Sequence, residues 1–223
     1  MKNSKKFILL ALVAALAICC TFNGYGSNKG VESTNSGTRT IVDSVGRTVE
    51  IPVTVERIIP LDNASRMIAY LGLADKCVGM SGGLNTGERS PIHAYAYANK
   101  NMWADLPNVG TSAGGVDDYY PEEIIRIDPD VILCTYPKEM ADDIQTKTGI
   151  PVVAVPVGTL FQKDYEEALR MLGDVCGVKD RAEEVIAYLN NSLNDLANRT
   201  ASVSNVGKPS VLWAAATFKG AHG

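Results

Sequence analysis

The stretch at 119–137, YYPEEIIRIDPDVILCTYP, decides the fold, because its punctuation, periodicity and chemistry point the same way. Pro121 sits where a first helical turn tolerates it, Glu122 and Glu123 place negative charge at the positive end of that helix, and Ile124, Ile125 and Ile127 supply an apolar face. Asp128-Pro129 must end the helix, since a residue before proline is pushed out of the α region. Asp130 then leads into Val131-Ile132-Leu133-Cys134, an apolar run without alternation, as expected of an interior parallel strand covered on both faces. Thr135-Tyr136-Pro137 breaks that run where a parallel α/β fold places its ligand-facing loop.

Working outward, the same alternation continues. Residues 139–148 read as a helix and 151–155 as the next parallel strand. Asp164 can cap a helix running to Cys176, and Asp180 with Glu183 resembles a capping box for a second. In that second helix Ala182, Val185, Ile186, Leu189, Leu193 and Leu196 recur at helical spacing, so 181–197 would span about 25 Å. Residues 201–209 form a Ser/Asn/Gly linker, and 210–215 read as a new core strand. On the amino-terminal side, 40–51 alternate about a turn at Ser44-Val45-Gly46 and predict a hairpin. Residues 57–61 are the first core strand, Asp62-Asn63-Ala64-Ser65 offer N-caps, and Met67, Ile68 and Leu71 form a helical face that Gly72 ends. A second short strand is expected at 77–80, a glycine-rich loop at 81–87, and another loop with three glycines at 109–115. Neither loop ends in Gly-Lys-Ser/Thr, so a phosphate cradle is not expected.

The amino terminus reads as an export signal. Residues 1–6 are basic and 7–20 form an unbroken apolar run, too short for a comfortable membrane span and the right length for a signal core. Two exits are legible: Ala15-Leu16-Ala17 is an A-x-A cleavage site, and Leu16-Ala17-Ile18-Cys19 resembles a lipoprotein box with Ile18 where a small residue is expected. Lipidation would fall on Cys19 or Cys20. The Gly/Ser/Asn-rich segment 24–38 predicts a flexible tether of about 20 Å average reach. The expected organisation is a leader at 1–20, a tether at 21–39, an α/β lobe at 40–160, a helical segment at 161–204, and a further strand-bearing segment at 205–223.

The bulk numbers exclude several classes. A hydrophobic content of 46% over 223 residues is ample for a core. The net charge of −4 becomes more negative when Lys2, Lys5 and Lys6 leave with the leader, which argues against a nucleic-acid partner. Cys77, Cys134 and Cys176 lie far apart inside apolar segments, as small buried hydrophobes do, and a Cys77–Cys134 disulfide stays open. The only histidines are His93 and His222 and no His/Asp/Glu cluster has ligand spacing, so no metal site is expected on the protein itself. A bound metal should arrive wrapped in its own ligands.

The segment PEEIIRIDPDVIL resembles the corresponding stretch of the substrate-binding proteins of ATP-driven (ABC-type) importers for iron chelates, haem and cobalamin. Asp43-Ser44-Val45-Gly46-Arg47 followed by Val49-Glu50-Ile51-Pro52 resembles that family's opening hairpin, Glu56-Arg57-Ile58-Ile59-Pro60-Leu61 its first lobe strand, and Ala69-Tyr70-Leu71-Gly72 the helix end after it. The resemblance implies an open parallel-sheet lobe with flanking helices, a long helix at 181–197 joining two lobes, and a second α/β lobe that is mostly missing from this chain. It also implies that Glu122, with Glu123 as the adjacent alternative, docks on arginines of the membrane permease. By charge alone, either carboxylate simply complements a helix dipole.

In such a sheet a ligand lies off the carboxyl ends of the strands. The strand-exit candidates are therefore Asp62, Asn63 and Arg66, the loop 81–89, the stretch 111–119, and Thr135, Tyr136 and Lys138; singled out as ligand-binding are Asn63, Arg66, Arg89, His93, Tyr95, Trp103 and Tyr136. Arg66 falls in a first helical turn, where a cation opposes the dipole; an anion in the cleft would justify it, and so would a nearby carboxylate. Arg89 and His93 with the aromatic residues suit a flat or carboxylate-bearing chelate, or are ordinary packing and surface residues. The function expected is an exported, monomeric receptor that captures a metal chelate such as an iron–siderophore, haem or cobalamin, and delivers it to an importer permease without catalysis or cofactor. The alternatives are a receptor for an oxyanion such as molybdate, an exported α/β hydrolase, for which no G-x-S-x-G is present, and an adhesive module.

Overall fold

The computed structural model describes residues 37–84, 93–113, 116–203, 208–210, 215–217 and 220–222. The expected leader with Cys19 and Cys20, nearly all of the expected tether, and Arg89 lie outside the described residues. Strand β1 (Thr38–Val42) begins within the stretch read as tether and pairs antiparallel with β2 (Thr48–Pro52), Ile41 opposite Val49. The turn between them turns on Gly46 at φ 79°, a left-handed position. Inside it the Asp43 carboxylate accepts from the backbone of Val45 and Arg47, from Arg47 Nε at 2.9 Å and from the Ala154 amide at 3.2 Å. Arg47 also donates to the Val152 carbonyl and reaches Asp142. The hairpin is thus riveted to the sheet by a buried ion pair.

The sheet is parallel, with β6 (Val131–Cys134) between β3 (Ile58–Pro60) and β7 (Val152–Ala154). All four residues of β6 are buried, as its unbroken apolar run requires. Alternation across the pleat sends Ile58, Val131, Leu133 and Val153 to one core and Ile59, Ile132, Cys134 and Val152 to the other. The first core is closed by α1 (Ala64–Tyr70), α6 (Lys163–Val175) and α7 (Lys179–Thr200); the second by α4 (Pro121–Ile127) and α5 (Lys138–Thr148). Cys77 and Cys134 fall in opposite cores and are free, so they do not form the disulfide left open above.

The Asp128-Pro129-Asp130 turn does more than stop α4. Asp128 caps the helix in a left-handed conformation, φ 54°, and Asp130 Oδ2 accepts from the Glu56 and Arg57 amides at 2.7 and 2.9 Å. Arg57 returns its guanidinium to the carbonyls of Ile127 and Asp128. The turn therefore pins the entry of β6 to the entry of β3.

Several expectations need correction. Residues 77–80 form no continuous strand and meet β3 and Asn108 through isolated bridges at Ile58–Cys77 and Met80–Asn108, with Gly79 packed where a Cβ would fall 2.7 Å from a Val109 methyl. The expected loop at 109–115 is instead largely strand β4 (Gly110–Ala113), paired antiparallel with β5 (Val116–Tyr119). A Cβ at Gly110 would collide with the Asp118 carbonyl, so here glycine permits close pairing rather than flexibility. None of the proposed helix caps forms a side-chain cap bond. Asn63 donates to Asp62, Asp164 turns back to the Thr159 amide, and Glu183 is taken by Arg170 at 2.7 Å.

Helix α7 runs 22 residues, about 33 Å, longer than expected. Arg170–Glu183 and Glu166–Asn190 fix its antiparallel register against α6. Beyond Asn190 it has passed the first turn of α6, so Leu193 and Leu196, read as part of the buried face, are exposed at 41% and 54%. Strand β8 (Ala215–Thr217) pairs antiparallel with β9 (Gly220–His222), so the strand expected at 210–215 acquires a partner later in the chain; residues 211–214 are outside the described residues. Among the described residues, no helix is long and apolar enough to cross a membrane.

Candidate ligand-binding cleft

The carboxyl edge of the sheet carries a cleft of about 210 Å³ lined by Asp62, Asn63, Ser81, Gly82, Leu84, His93 and Tyr95. Its floor is the exit of β3. Ladder pairing continues one residue past the strand, from the Leu61 amide to the Leu133 carbonyl at 2.8 Å, and the backbone then turns through Asp62 at φ 51°. A non-glycine residue holds a left-handed conformation only where its surroundings impose it. Here Thr135, at the exit of β6, donates its hydroxyl to Asp62 Oδ2, and Asn63 Nδ2 donates to the same oxygen at 2.9 Å.

One wall is the turn after Met80, where Gly82 and Gly83 are both left-handed, φ 70° and 73°. The Gly82 amide is held by the Gly110 carbonyl at 3.1 Å, which ties this turn to β4. The opposite wall comes from the short helix α2 (Ala94–Ala98), whose N-cap is His93. The His93 ring meets Tyr95 edge-on at 5.5 Å, and Tyr95 meets Trp103 at 6.4 Å. Burial raises the Tyr95 phenol above its ordinary pKa, the Arg66 cation pulling the other way, so its hydroxyl stays protonated.

Of the residues named from sequence, Asn63, His93 and Tyr95 are brought together at this cleft. Arg66 does not line it: its guanidinium lies 5.8 Å from the centre of the Tyr165 ring, and among the described residues it makes no ion pair. Trp103 is corrected from ligand contact to core: it lies on α3 (Lys100–Trp103), is completely buried, and donates its indole N–H to the Ala74 carbonyl at 3.0 Å. Tyr136 is corrected likewise, being 4% exposed inside the second core. Asp62, Ser81, Gly82 and Leu84 also line the cleft; they lie in the strand-exit loops from which ligand contacts were expected, though they were not among the seven residues singled out.

At α4, Glu123 is committed to Arg126 at 2.5 Å, whereas Glu122 is exposed and makes no ion pair among the described residues. No group of three or more His, Cys, Asp or Glu side chains could hold a metal ion among the described residues.

Residues 64–221 match the sequence model of the family described as "Periplasmic binding protein". The chain belongs to the periplasmic binding protein family. Among its relatives, the probable siderophore-binding lipoprotein YfiY of Bacillus subtilis is 25% identical over 202 residues, 91% of this chain and 57% of the relative. Two solved members share the fold. Staphylococcus aureus SirA, complexed with staphyloferrin B, superposes with a TM-score of 0.56 at 21% identity over 75% of this chain and 53% of its own. The molybdate periplasmic binding protein MolA of Haemophilus influenzae, bound to molybdate, superposes with a TM-score of 0.59 at 20% identity over 76% and 56%. This periplasmic binding protein thus spans between half and three fifths of the length of these relatives. The resemblance drawn from PEEIIRIDPDVIL and the α/β parallel-sheet architecture both stand.

Proposed function

We propose that this chain is the ligand-receiving lobe of an exported solute-binding receptor that captures a metal chelate, of the iron–siderophore class, and passes it to the permease of an ABC importer. The observation that carries this reading is the cleft at the carboxyl edge of the parallel sheet, where Asp62, Asn63, His93 and Tyr95 offer polar and aromatic groups. A metal held there comes inside its own chelator, and the protein binds the chelator's surface. The siderophore-binding relative and the solved siderophore complex support the same ligand class. The lobe binds and releases without making or breaking a bond.

Transfer follows from the outer face of α4. Glu122 is the docking carboxylate of this reading, because Glu123 is already neutralised by Arg126. Export, with a lipid on Cys19 or Cys20 as the tether, places the receptor beside the permease.

Calorimetric titration of the leaderless protein against ferric hydroxamate, ferric carboxylate and ferric catecholate chelates, haem, cobalamin and molybdate tests the reading. One metal chelate should bind with micromolar or tighter affinity, and Asn63→Ala or Tyr95→Ala should weaken it. Tight binding of molybdate alone would transfer the cleft to oxyanions, and a folded protein that binds nothing in the series would refute the receptor.

A further inference from the structure

We propose that the groove between α1, α7 and the loop leaving β7 is a second, apolar compartment of the ligand site, which takes an aromatic ring of the chelate. The inference rests on the chelate-receptor reading and names the ligand class within it. The groove holds about 480 Å³ and is lined by Tyr70, Leu160, Val185, Tyr188 and Leu189. A cavity of about 150 Å³ is enough for a benzene ring. The charged residues of its lining, Arg181 and Glu184, are paired with one another at 3.0 Å, and Arg181 also donates to the Tyr70 carbonyl. What remains to meet a ligand is mainly hydrocarbon and two tyrosine rings.

Its position ties the groove to the cleft. Helix α2, which carries Tyr95, packs on α1, which carries Tyr70, and Tyr70 stands one turn from Arg66 on the same face. The Arg66 guanidinium in turn lies against Tyr165. Burial raises the phenols of Tyr95 and Tyr165, the Arg66 cation pulls both back, and the Tyr70 phenol pushes both up. Tyr95 in the cleft and Tyr70 in the groove therefore meet at one ridge built around Arg66.

The far lip of the groove is fixed at the carboxyl edge of the sheet, where ligands of such sheets lie. Leu160 belongs to the loop leaving β7, and Gly158 in that loop is so close to α6 that a Cβ would fall 2.8 Å from the Tyr165 Cα. The Thr159 amide is bonded to Asp164, and Phe161 keeps a left-handed backbone, φ 69°, which its surroundings must impose. Tyr188, on α7, lines the same groove with 72% of its surface exposed, so a ring laid against it gains contact on an open aromatic face. A polar cleft and an apolar groove that share a ridge match a chelate carrying aryl rings beside its metal-binding oxygens, a catecholate. A chelate without rings would leave both tyrosines uncovered.

The test titrates the leaderless protein by calorimetry with ferric enterobactin, whose three catechol rings surround the metal, and with ferrioxamine B, a trihydroxamate without an aromatic ring. Ferric enterobactin should bind the more tightly. Tyr188→Ala and Leu160→Ala should each weaken it roughly tenfold while leaving ferrioxamine B within about twofold. Tyr188→Phe, which keeps the ring, should bind as the parent does. Because Tyr188 is largely exposed, the thermal midpoint of Tyr188→Ala should match that of the parent, so that its loss of binding reports the groove and not the fold. Tighter binding of ferrioxamine B, or a catecholate affinity indifferent to both alanine substitutions, would overturn the inference and leave the receptor reading standing; a folded protein that binds no chelate overturns both. A dimer in sedimentation that Tyr188→Ala dissolves, with catecholate binding unchanged, would assign the groove to self-association and likewise overturn the inference.

Discussion

Removing the guanidinium of Arg47 should destabilise the lobe more than removing any exposed charge. The Asp43 carboxylate is completely buried and the Arg47 side chain 6% exposed, at 2.8 Å from one another. Asp43 is held by donors from Val45, Arg47 and Ala154, and Arg47 by the Val152 carbonyl and Asp142. Arg47→Met keeps much of the apolar stem but leaves an uncompensated carboxylate beside β7, an error of the kind that costs about 3–5 kcal/mol. The double variant Asp43→Asn/Arg47→Met removes both charges, so it should lose less than the sum of the single losses, by about 1–3 kcal/mol. Urea unfolding followed by circular dichroism reads both quantities, with an unchanged m-value showing that the unfolded state is unaltered. A loss under about 1 kcal/mol for Arg47→Met, or strict additivity in the double variant, would refute the claim that this pair rivets the hairpin to the sheet.

Three further outcomes follow from the same geometry. Gly110→Ala forces a Cβ against the Asp118 carbonyl and to 3.1 Å from the Tyr119 Cα, so it should cost about 1–3 kcal/mol in urea midpoint and weaken ligand binding through the Gly82–Gly110 tie. The Lys179 ammonium, hydrogen-bonded to Asp174 at 2.6 Å, with Arg39 at 2.9 Å, holds the Asp174 carboxyl below the ordinary range. Its contribution is full above the unfolded pKa of about 4 and is lost as pH falls through the lower folded value, so the stability gap between wild type and Asp174→Asn should close on acidification from pH 7. Burial pushes the thiols of Cys77 and Cys176 up to about 12 and that of Cys134 to about 11, so iodoacetamide at pH 8 should label none of the three until urea unfolds the chain.

The fold was most legible where one residue type admits one conformation. Pro121 and Pro129 bracket α4, and the run Val131-Ile132-Leu133-Cys134 has no polar face to leave exposed, so helix, turn and buried strand were readable at once. What escaped depends on contacts distant in sequence. Three glycines at 109–115 look like a loop until Gly110 is seen against Asp118, and the caps at Asp164 and Asp180 looked satisfied locally while Thr159 and Arg170 were competing for Asp164 and Glu183. The heptad-like repeat of α7 was real, but a periodicity reports an apolar face and not what covers it: Val185 and Ile186 are buried, Leu193 and Leu196 are not. The candidate cleft was half legible for the same reason. Topology placed Asn63 at a strand exit, yet aromatic composition could not separate Tyr95, which lines the cleft, from Trp103, which fills the core.

The two ends of β6 show how the lobe divides its work. At its entry Asp130 is bonded to the Glu56 and Arg57 amides, while Arg57 caps the end of α4, so β3, β6 and α4 are locked together below the sheet. At its exit Thr135 reaches Asp62, so the cleft floor is held by a side chain carried on the most completely buried strand. Between these ends no residue of β6 is solvent-exposed, and shifting its register by one would exchange the two cores. The sheet therefore cannot adjust to a ligand by sliding. The rest of the lining, Ser81, Gly82, Leu84, His93 and Tyr95, is carried outside the sheet by the 81–84 turn and by α2 with its N-cap. Floor and walls thus rest on separate elements, and substitutions in the two places should be separable when each variant is titrated by calorimetry: Thr135→Val should act on the floor through Asp62, and Leu84→Ala on the wall alone.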